Sequence, residues 1–419
     1  MKTTKQSTAM LDFFAESPCI QPVSKNTPQL DTILTMLYND IVDAYRYIGQ
    51  NQAEPRISLK DIETASQIPY PSMFPAHSFP PDVRNHINIT AQQSIEYTTQ
   101  LMGREITIYF VLESATHINI HKYIDYARNM IAWLHVVNQY AKSSCARKLC
   151  VYIYMTSLTK NIPQSNMVVL GESHVNTAFT TTCPVNSEIV IFRKEEWFKS
   201  FIHETFHNFA LDFSDMDNAD CHHKIKKLFH VDSKINLFES YTEFWAEIMN
   251  ICLCSYLSLK NKTHVSDYLS NCKEMIELEK TYSVFQMVKA LGYMGIDYNT
   301  MYSTNNKSET LRKTLYREET NILAYYIIKT ILMTNADTFL EWCHTHNTAL
   351  MQFNKTAKNQ KAFCAFIKNH YKSKNILSMV KCTENFIGQL VQSRPRTQKE
   401  KSKLLFLLNT MRMTLCELG

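Results

Sequence analysis

The spacing of apolar positions divides the chain into a mixed front half and a helical back half. Between residues 29 and 50, Leu, Ile and Tyr recur at helical intervals and stop at Gly49, which predicts a first helix. The preceding 28 residues are polar and read as a loose terminus. From Asn51 to Pro81 the pattern lapses, and Pro55, Pro69, Pro71, Pro75, Pro80 and Pro81 predict an extended connector or wrapping arm. Between 85 and 260 the periodicity alternates between kinds. It predicts a helix over Gln92–Leu101 ending at Gly103, a strand over Glu105–Leu112, and a long amphipathic helix over 118–141. Leu149–Met155 reads as a second strand, His174–Thr181 as an edge strand and Glu188–Phe192 as a short buried one, followed by a helix over 195–211. Beyond residue 236 helices dominate, over 236–258, 264–290, 309–334, 336–351, 359–371 and 398–414. No internal repeat is visible. The expected fold class is α+β and helix-rich, a small mixed sheet followed by a helical C-terminal part, with parts at 1–84, 85–260 and 261–419.

Composition agrees. The chain is 45% hydrophobic and 20% charged over 419 residues, enough to bury a core of two- or three-domain size. Seven glycines are about a quarter of average usage, which leaves few tight turns and favours helices. A net charge of +5 is small for this length, so a nucleic-acid partner is not expected. The basic run 394–403 reads as a solvated connector before the last helix. No apolar segment follows the N-terminus as in a secretory signal, and none nears the ~18 residues of a membrane span. The twelve cysteines are therefore expected to be mostly reduced, buried thiols in an intracellular compartment, with no membrane insertion.

The chemistry centres on His203-Glu204-Thr205-Phe206-His207, a HExxH sequence. On a helix, imidazoles at i and i+4 lie about 40° apart and can reach one tetrahedral ion, expected to be Zn²⁺. Phe198, Phe201, Ile202 and Phe209 fall on the far side, so the helix has an apolar back and a polar front. Glu204 stands beside the pair as a general base rather than a ligand.

A catalytic zinc takes three protein ligands and leaves one position open. The metzincin position, six residues after His207, is Phe213, which excludes that class. Asp215, Asp217 and Asp220 lack the glycine-containing context of aspzincins. Downstream, Glu239, Glu243 and Glu247 recur every four residues as one carboxylate stripe, with Tyr241, Trp245, Ile248, Met249 and Cys252 opposite. Acidic groups on a helix beside a HExxH helix are the gluzincin arrangement, and Glu239 and Glu243 both compete for the third position.

Glu243-Phe244-Trp245-Ala246-Glu247 resembles the Glu-Phe-Phe-Ala-Glu segment of lethal-factor-type gluzincins. The stretch Ile191–Asn208 is similar to zinc metalloproteinases of nucleocytoplasmic large DNA viruses, and the likeness covers about 174–260. The resemblance implies a zincin-like core, Glu243 as third zinc ligand and Glu247 as a carboxylate orienting a histidine. The implied activity is a zinc-dependent endopeptidase acting on a host or viral polypeptide, located in host cytoplasm or virion. The alternative is a zinc-stabilised viral structural protein that has lost turnover.

Other groups are weaker. Asp220-Cys221-His222-His223 with His230 reads as a surface loop, and Cys252, near Cys254, as a buried thiol. Tyr325 and Tyr326 are both candidates for stabilising a developing oxyanion, whereas Tyr241 points to the apolar side of its helix. The edge strand His174–Thr181 could carry an extended substrate backbone.

Overall fold

The strands β2 (Gln93–Leu101) and β3 (Arg104–Leu112) form an antiparallel hairpin, in register from Gln93 opposite Leu112 to Leu101 opposite Arg104. A computed structural model describes residues 3–23, 28–51, 55–114, 119–393, 395 and 397–419. Met102 and Gly103 close the hairpin, both at positive φ (49° and 79°), the two-residue turn whose twist matches an antiparallel pair. This corrects the helix expected over Gln92–Leu101. Ile95, Tyr97, Thr99 and Leu101 alternate inward, and β-branched and aromatic side chains suit the pleat better than a helix. Gly103 is a turn residue rather than a helix stop.

Four further strands complete one mixed sheet: β1 (Arg56–Asp61), β4 (Lys148–Met155), β5 (Ala178–Thr180) and β6 (Asn186–Ile191). The order is β1-β2-β3-β4-β6-β5. β3, β4 and β6 run parallel, and β5 lies antiparallel to β6 at the edge. Period-two alternation gives the parallel strands two buried faces. Ile106, Ile108, Phe110, Val151, Ile153, Ile189 and Ile191 enter the main core. Val111, Tyr152, Tyr154 and Val190 enter a second cluster with Ile68 and Phe79 from the proline-rich stretch and Val83 and Ile87 just beyond it. That stretch wraps the sheet, as one reading of its prolines had it. It also contributes β1 and leads at Pro81 into the helix α3 (Pro81–Thr90), neither visible in the sequence pattern.

The other helices are α1 (Lys5–Ala15), α2 (Pro28–Asn51), α4 (Ile120–Tyr140), α5 (Glu172–Val175), α6 (Trp197–Asn208), α7 (Ala219–Phe229) and α8 (Leu237–Ser258). After them come α9 (Val265–Tyr293), α10 (Tyr298–Tyr302), α11 (Asn306–Leu315), α12 (Lys329–Thr334) and α13 (Ala336–His346). The last three are α14 (Ala357–His370), α15 (Lys374–Gln392) and α16 (Gln398–Asn409). The molecule is thus a helix-rich α+β protein with a small mixed, open sheet. The main core draws residues from Leu30 to Leu418, including all three of the expected parts.

The N-terminal stretch contains α1, capped by Thr4 and anchored by Phe14 against Tyr282 and Phe285. The helix expected over 309–334 is broken: α11 stops at Leu315, and a π-helical segment, Leu323–Ile328, runs into α12. The helix expected over 398–414 ends at Asn409, and the residues after it form a buried strap. Two carboxylates hold the strap by its amides, Glu196 taking the N–H groups of Met413 and Thr414 and Glu279 those of Leu415 and Cys416. Within the basic run before α16, Arg394 and Arg396 lie outside the described residues.

Cys19–Cys382 and Cys145–Cys183 are disulfides, and the other eight cysteines are free thiols. Cys252 is buried, as its side of α8 predicted. Among the described residues no helix is long and apolar enough to cross a membrane.

Candidate metal centre

Helix α6 carries the HExxH residues and packs against β5, β6, α4 and α8. Phe198, Phe201 and Ile202, with Phe209 at its C-cap, are buried in the main core, as the sequence periodicity required, and Phe206 joins them. The Trp133 indole N–H of α4 donates to Thr205 Oγ1 at 2.8 Å, fixing the middle of the motif to the neighbouring helix. The helix ends sharply. Ala210 takes a left-handed conformation (φ 54°), and the Leu211 N–H returns to the Phe206 carbonyl at 2.8 Å. A left-handed alanine is strained, and here the strain turns Asp212 back toward His207.

The two imidazoles present their Nε2 atoms to each other at 3.2 Å. Glu239, in the first turn of α8, brings Oε2 to 3.2 Å from His203 Nε2 and 3.4 Å from His207 Nε2. These three ligand atoms lie within 4.8 Å of one another, a buried His-His-Glu group that could hold a metal ion. Two nitrogen donors and one carboxylate oxygen on rigid helices suit zinc.

Each remaining ring nitrogen has its own carboxylate. His203 Nδ1 lies 2.9 Å from Glu243 Oε2, and His207 Nδ1 contacts Asp212 Oδ2. Asp212 is itself held by Thr242 Oγ1 at 3.2 Å and by the amide and hydroxyl of Ser214 at 3.0 and 2.8 Å. Glu243 is also paired with the buried Lys199 ammonium. The position expected for Glu243 is therefore corrected: it stands behind His203, and Glu239 faces the two Nε2 atoms. The physical reason is the helix step, since four residues along α8 move a carboxylate about 6 Å along the axis. Glu247, one step further, pairs with Lys329 Nζ at 3.0 Å and contacts neither histidine.

Asp212 lies outside the candidates the sequence offers, which are the Phe213 position and Asp215, Asp217 and Asp220. The available signal was a carboxylate in the turn that ends the motif helix. Phe213 is buried and packed against the Phe353 ring, centroids 4.3 Å apart, a core position. Asp220 pairs with Lys224 at 2.8 Å and His223 and His230 are exposed, so none of them joins the group.

Burial pulls both histidines toward the neutral form, but the carboxylates outweigh it and hold them above the ordinary value, His207 strongly. Burial pushes Glu239 and Glu243 up, yet His207 and His203 in the first case and Lys199 with His203 in the second hold them well below the usual range. Glu204 goes the other way, raised by burial against the pull of His203 and His207. No hydrogen bond among the described residues ties its carboxylate down.

Glu204 and His203 line a cavity of about 30 Å³ with Asn176, Thr177, Ala178 and Tyr325. Of the two tyrosines considered, Tyr325 reaches the centre, its hydroxyl donating to Glu239 Oε2 at 3.1 Å. Tyr326 turns away and donates to the Met411 carbonyl, while Tyr241 donates to the Met351 carbonyl within the core.

No protein family, curated protein or solved structure matches the chain. The likeness to viral and lethal-factor-type metalloproteinases rests on the two motifs alone.

Proposed function

We propose that the chain is a zinc-dependent peptidase of zincin-like architecture, with His203, His207 and Glu239 holding the ion and Glu204 as general base. One observation carries this reading. Two Nε2 atoms and one carboxylate oxygen converge while a separate carboxylate holds each Nδ1, the arrangement that makes histidines good metal ligands. Such an ion supplies Lewis acidity, polarising a carbonyl and acidifying a water.

The residues around it divide the remaining work. Glu204, whose pKa is raised by burial, takes a proton from the attacking water and delivers it to the leaving amine. Tyr325 can exchange its bond to Glu239 for one to the developing oxyanion. Asn176, Thr177 and Ala178, entering the edge strand β5, offer a backbone rail for an extended polypeptide substrate. A cavity of about 30 Å³ has room for about two waters and not for a peptide.

The same narrowness favours a second reading, a zinc-stabilised protein without turnover. Cleavage of a peptide library by the zinc-loaded chain separates the two. The peptidase reading expects specific cleavage, lost in Glu204→Gln with the zinc retained. No cleavage by a fully zinc-loaded wild type would leave the non-catalytic reading standing.

A further inference from the structure

The free thiols away from the metal centre are not alike. Of the eight, only Cys150 is not buried. Burial nevertheless pushes its thiol up to about 12, so exposure alone does not make it a nucleophile. Cys221 differs in position. It stands in the first turn of α7, where backbone N–H groups without helical partners favour a thiolate. Lys224, one turn further on, pairs with Asp220 at 2.8 Å and offsets the acid beside Cys221.

A second thiol meets it. Gln360 of α14 donates to the Asp217 carbonyl and to Asn218 Oδ1, both at 3.1 Å, which seats the N-terminal end of α7 against α14. The Cys221 Sγ then lies 3.9 Å from the Gln360 carbonyl. Helical side chains lean back over the preceding turn, which brings the thiol of Cys364, four residues after Gln360, to the same place. The two thiols are hydrogen-bonded to each other. That bond holds Cys221 below the ordinary thiol value against burial, and it pushes Cys364 up. One sulfur is the nucleophile and the other keeps the proton. Cys364 also lines a groove of about 310 Å³ between α7 and α14, so a small reagent can reach the pair although both residues are buried. Two other pairs of free thiols meet, Cys252 with Cys272 and Cys254 with Cys416. Neither has a sulfur in the first turn of a helix.

We propose that Cys221 and Cys364 are an oxidisable dithiol, closed by hydrogen peroxide to a disulfide that ties α7 to α14. The Cys221 thiolate attacks one peroxide oxygen and the O–O bond breaks, leaving a sulfenic acid on Cys221. The departing hydroxide takes the Cys364 proton and becomes water. The Cys364 thiolate then attacks the Cys221 sulfur, forming the S–S bond and displacing a second hydroxide. That hydroxide takes up the proton Cys221 released on ionising. The two thiols together lose two electrons, and one peroxide is reduced to two waters. None of these steps involves the metal or Glu204.

The test treats the native full chain with a few equivalents of hydrogen peroxide, alkylates the remaining thiols and maps the peptides without reduction. A Cys221–Cys364 cross-link is expected, with two of the eight free thiols lost and Cys221 oxidised at least ~10-fold faster than Cys150. In Cys364→Ser the reaction should stop at a sulfenic acid on Cys221, trapped by dimedone, and in Cys221→Ser Cys364 should stay reduced at the same dose. Circular dichroism checks the fold of both variants, and the wild-type map decides the matter if either is disturbed. The proposal is overturned if no thiol is lost, if Cys150 reacts first, or if Cys252–Cys272 or Cys254–Cys416 closes before Cys221–Cys364.

Discussion

The Glu243 carboxylate lies 2.9 Å from Nδ1 of His203, across the ring from the Nε2 atom that Glu239 approaches at 3.2 Å. One imidazole is thus gripped at both nitrogens by carboxylates a single helical turn apart on α8. A carboxylate on Nδ1 fixes the tautomer, orients the ring and raises the basicity of Nε2. Lys199, one turn before His203 on α6, keeps Glu243 anionic in a site where an unpaired buried charge would be costly. His207 has the same support from Asp212, supplied by a turn rather than a helix.

Asp212→Asn keeps the shape of that support and removes its charge. We expect zinc affinity to fall about 10- to 100-fold, with the stoichiometry at saturation unchanged. Competitive titration against a chromophoric chelator measures it, and an unaltered affinity would remove Asp212 from the account.

Tyr325→Phe deletes one hydroxyl at the centre. If that hydroxyl stabilises developing charge, kcat should drop about 10²- to 10³-fold while KM and zinc content stay near wild type. A change in KM alone would make Tyr325 a substrate-binding group.

The metal-free protein should be most stable in mildly acidic solution. Despite burial, His207 lowers Asp212 and Glu239, and Lys199 lowers Glu243. Their contribution is present above the ordinary carboxylate values of about 4 and is lost as pH falls through the depressed ones. His203 and His207 are raised by their carboxylates against burial, so their contribution is full below about 6.5 and is lost as pH rises through the raised values. The Tm of chelator-treated protein should peak between about pH 4.5 and 6.5 and decline on both sides. Zinc displaces protons from the same histidines, so its affinity should rise with pH over this range. A Tm that climbs steadily from pH 5 to 8 in chelator would contradict the assignment.

Phe213→Ala removes a ring packed against Phe353, Phe363, Phe238 and Tyr241. Truncating a fully buried phenylalanine costs about 3–5 kcal/mol, read from chemical denaturation. A loss below about 1 kcal/mol would mean that the site collapses around the gap.

Much of this was legible in the chain, and the reasons differ by element. α4, α8 and α9 are long and periodic, and the structure places them within a few residues of their expected bounds. β2 reads as a helix in the sequence because Gly103 marks helix ends and hairpin turns alike, and only the pairing with β3 decides between them. The metal pair needed nothing beyond i, i+4 spacing. The third carboxylate was different. Glu239, Glu243 and Glu247 share one face of α8, and spacing on one helix carries no information about its axial offset from another. That offset comes from packing between α6 and α8, which also aims Lys199 at Glu243, while Lys329 of α12 meets Glu247. Asp212 depended on a left-handed alanine, a conformation that residue type does not advertise.

The role of Glu239 is where the geometry commits itself most plainly, and zinc titration of the wild type, Glu239→Gln and Glu243→Gln measures it. The wild type should bind one zinc per chain. Glu239→Gln should lose stoichiometric binding under the same conditions, and Glu243→Gln should retain it with affinity reduced about 10- to 100-fold. Loss of zinc in Glu243→Gln with retention in Glu239→Gln, or no zinc in the wild type, would contradict the account.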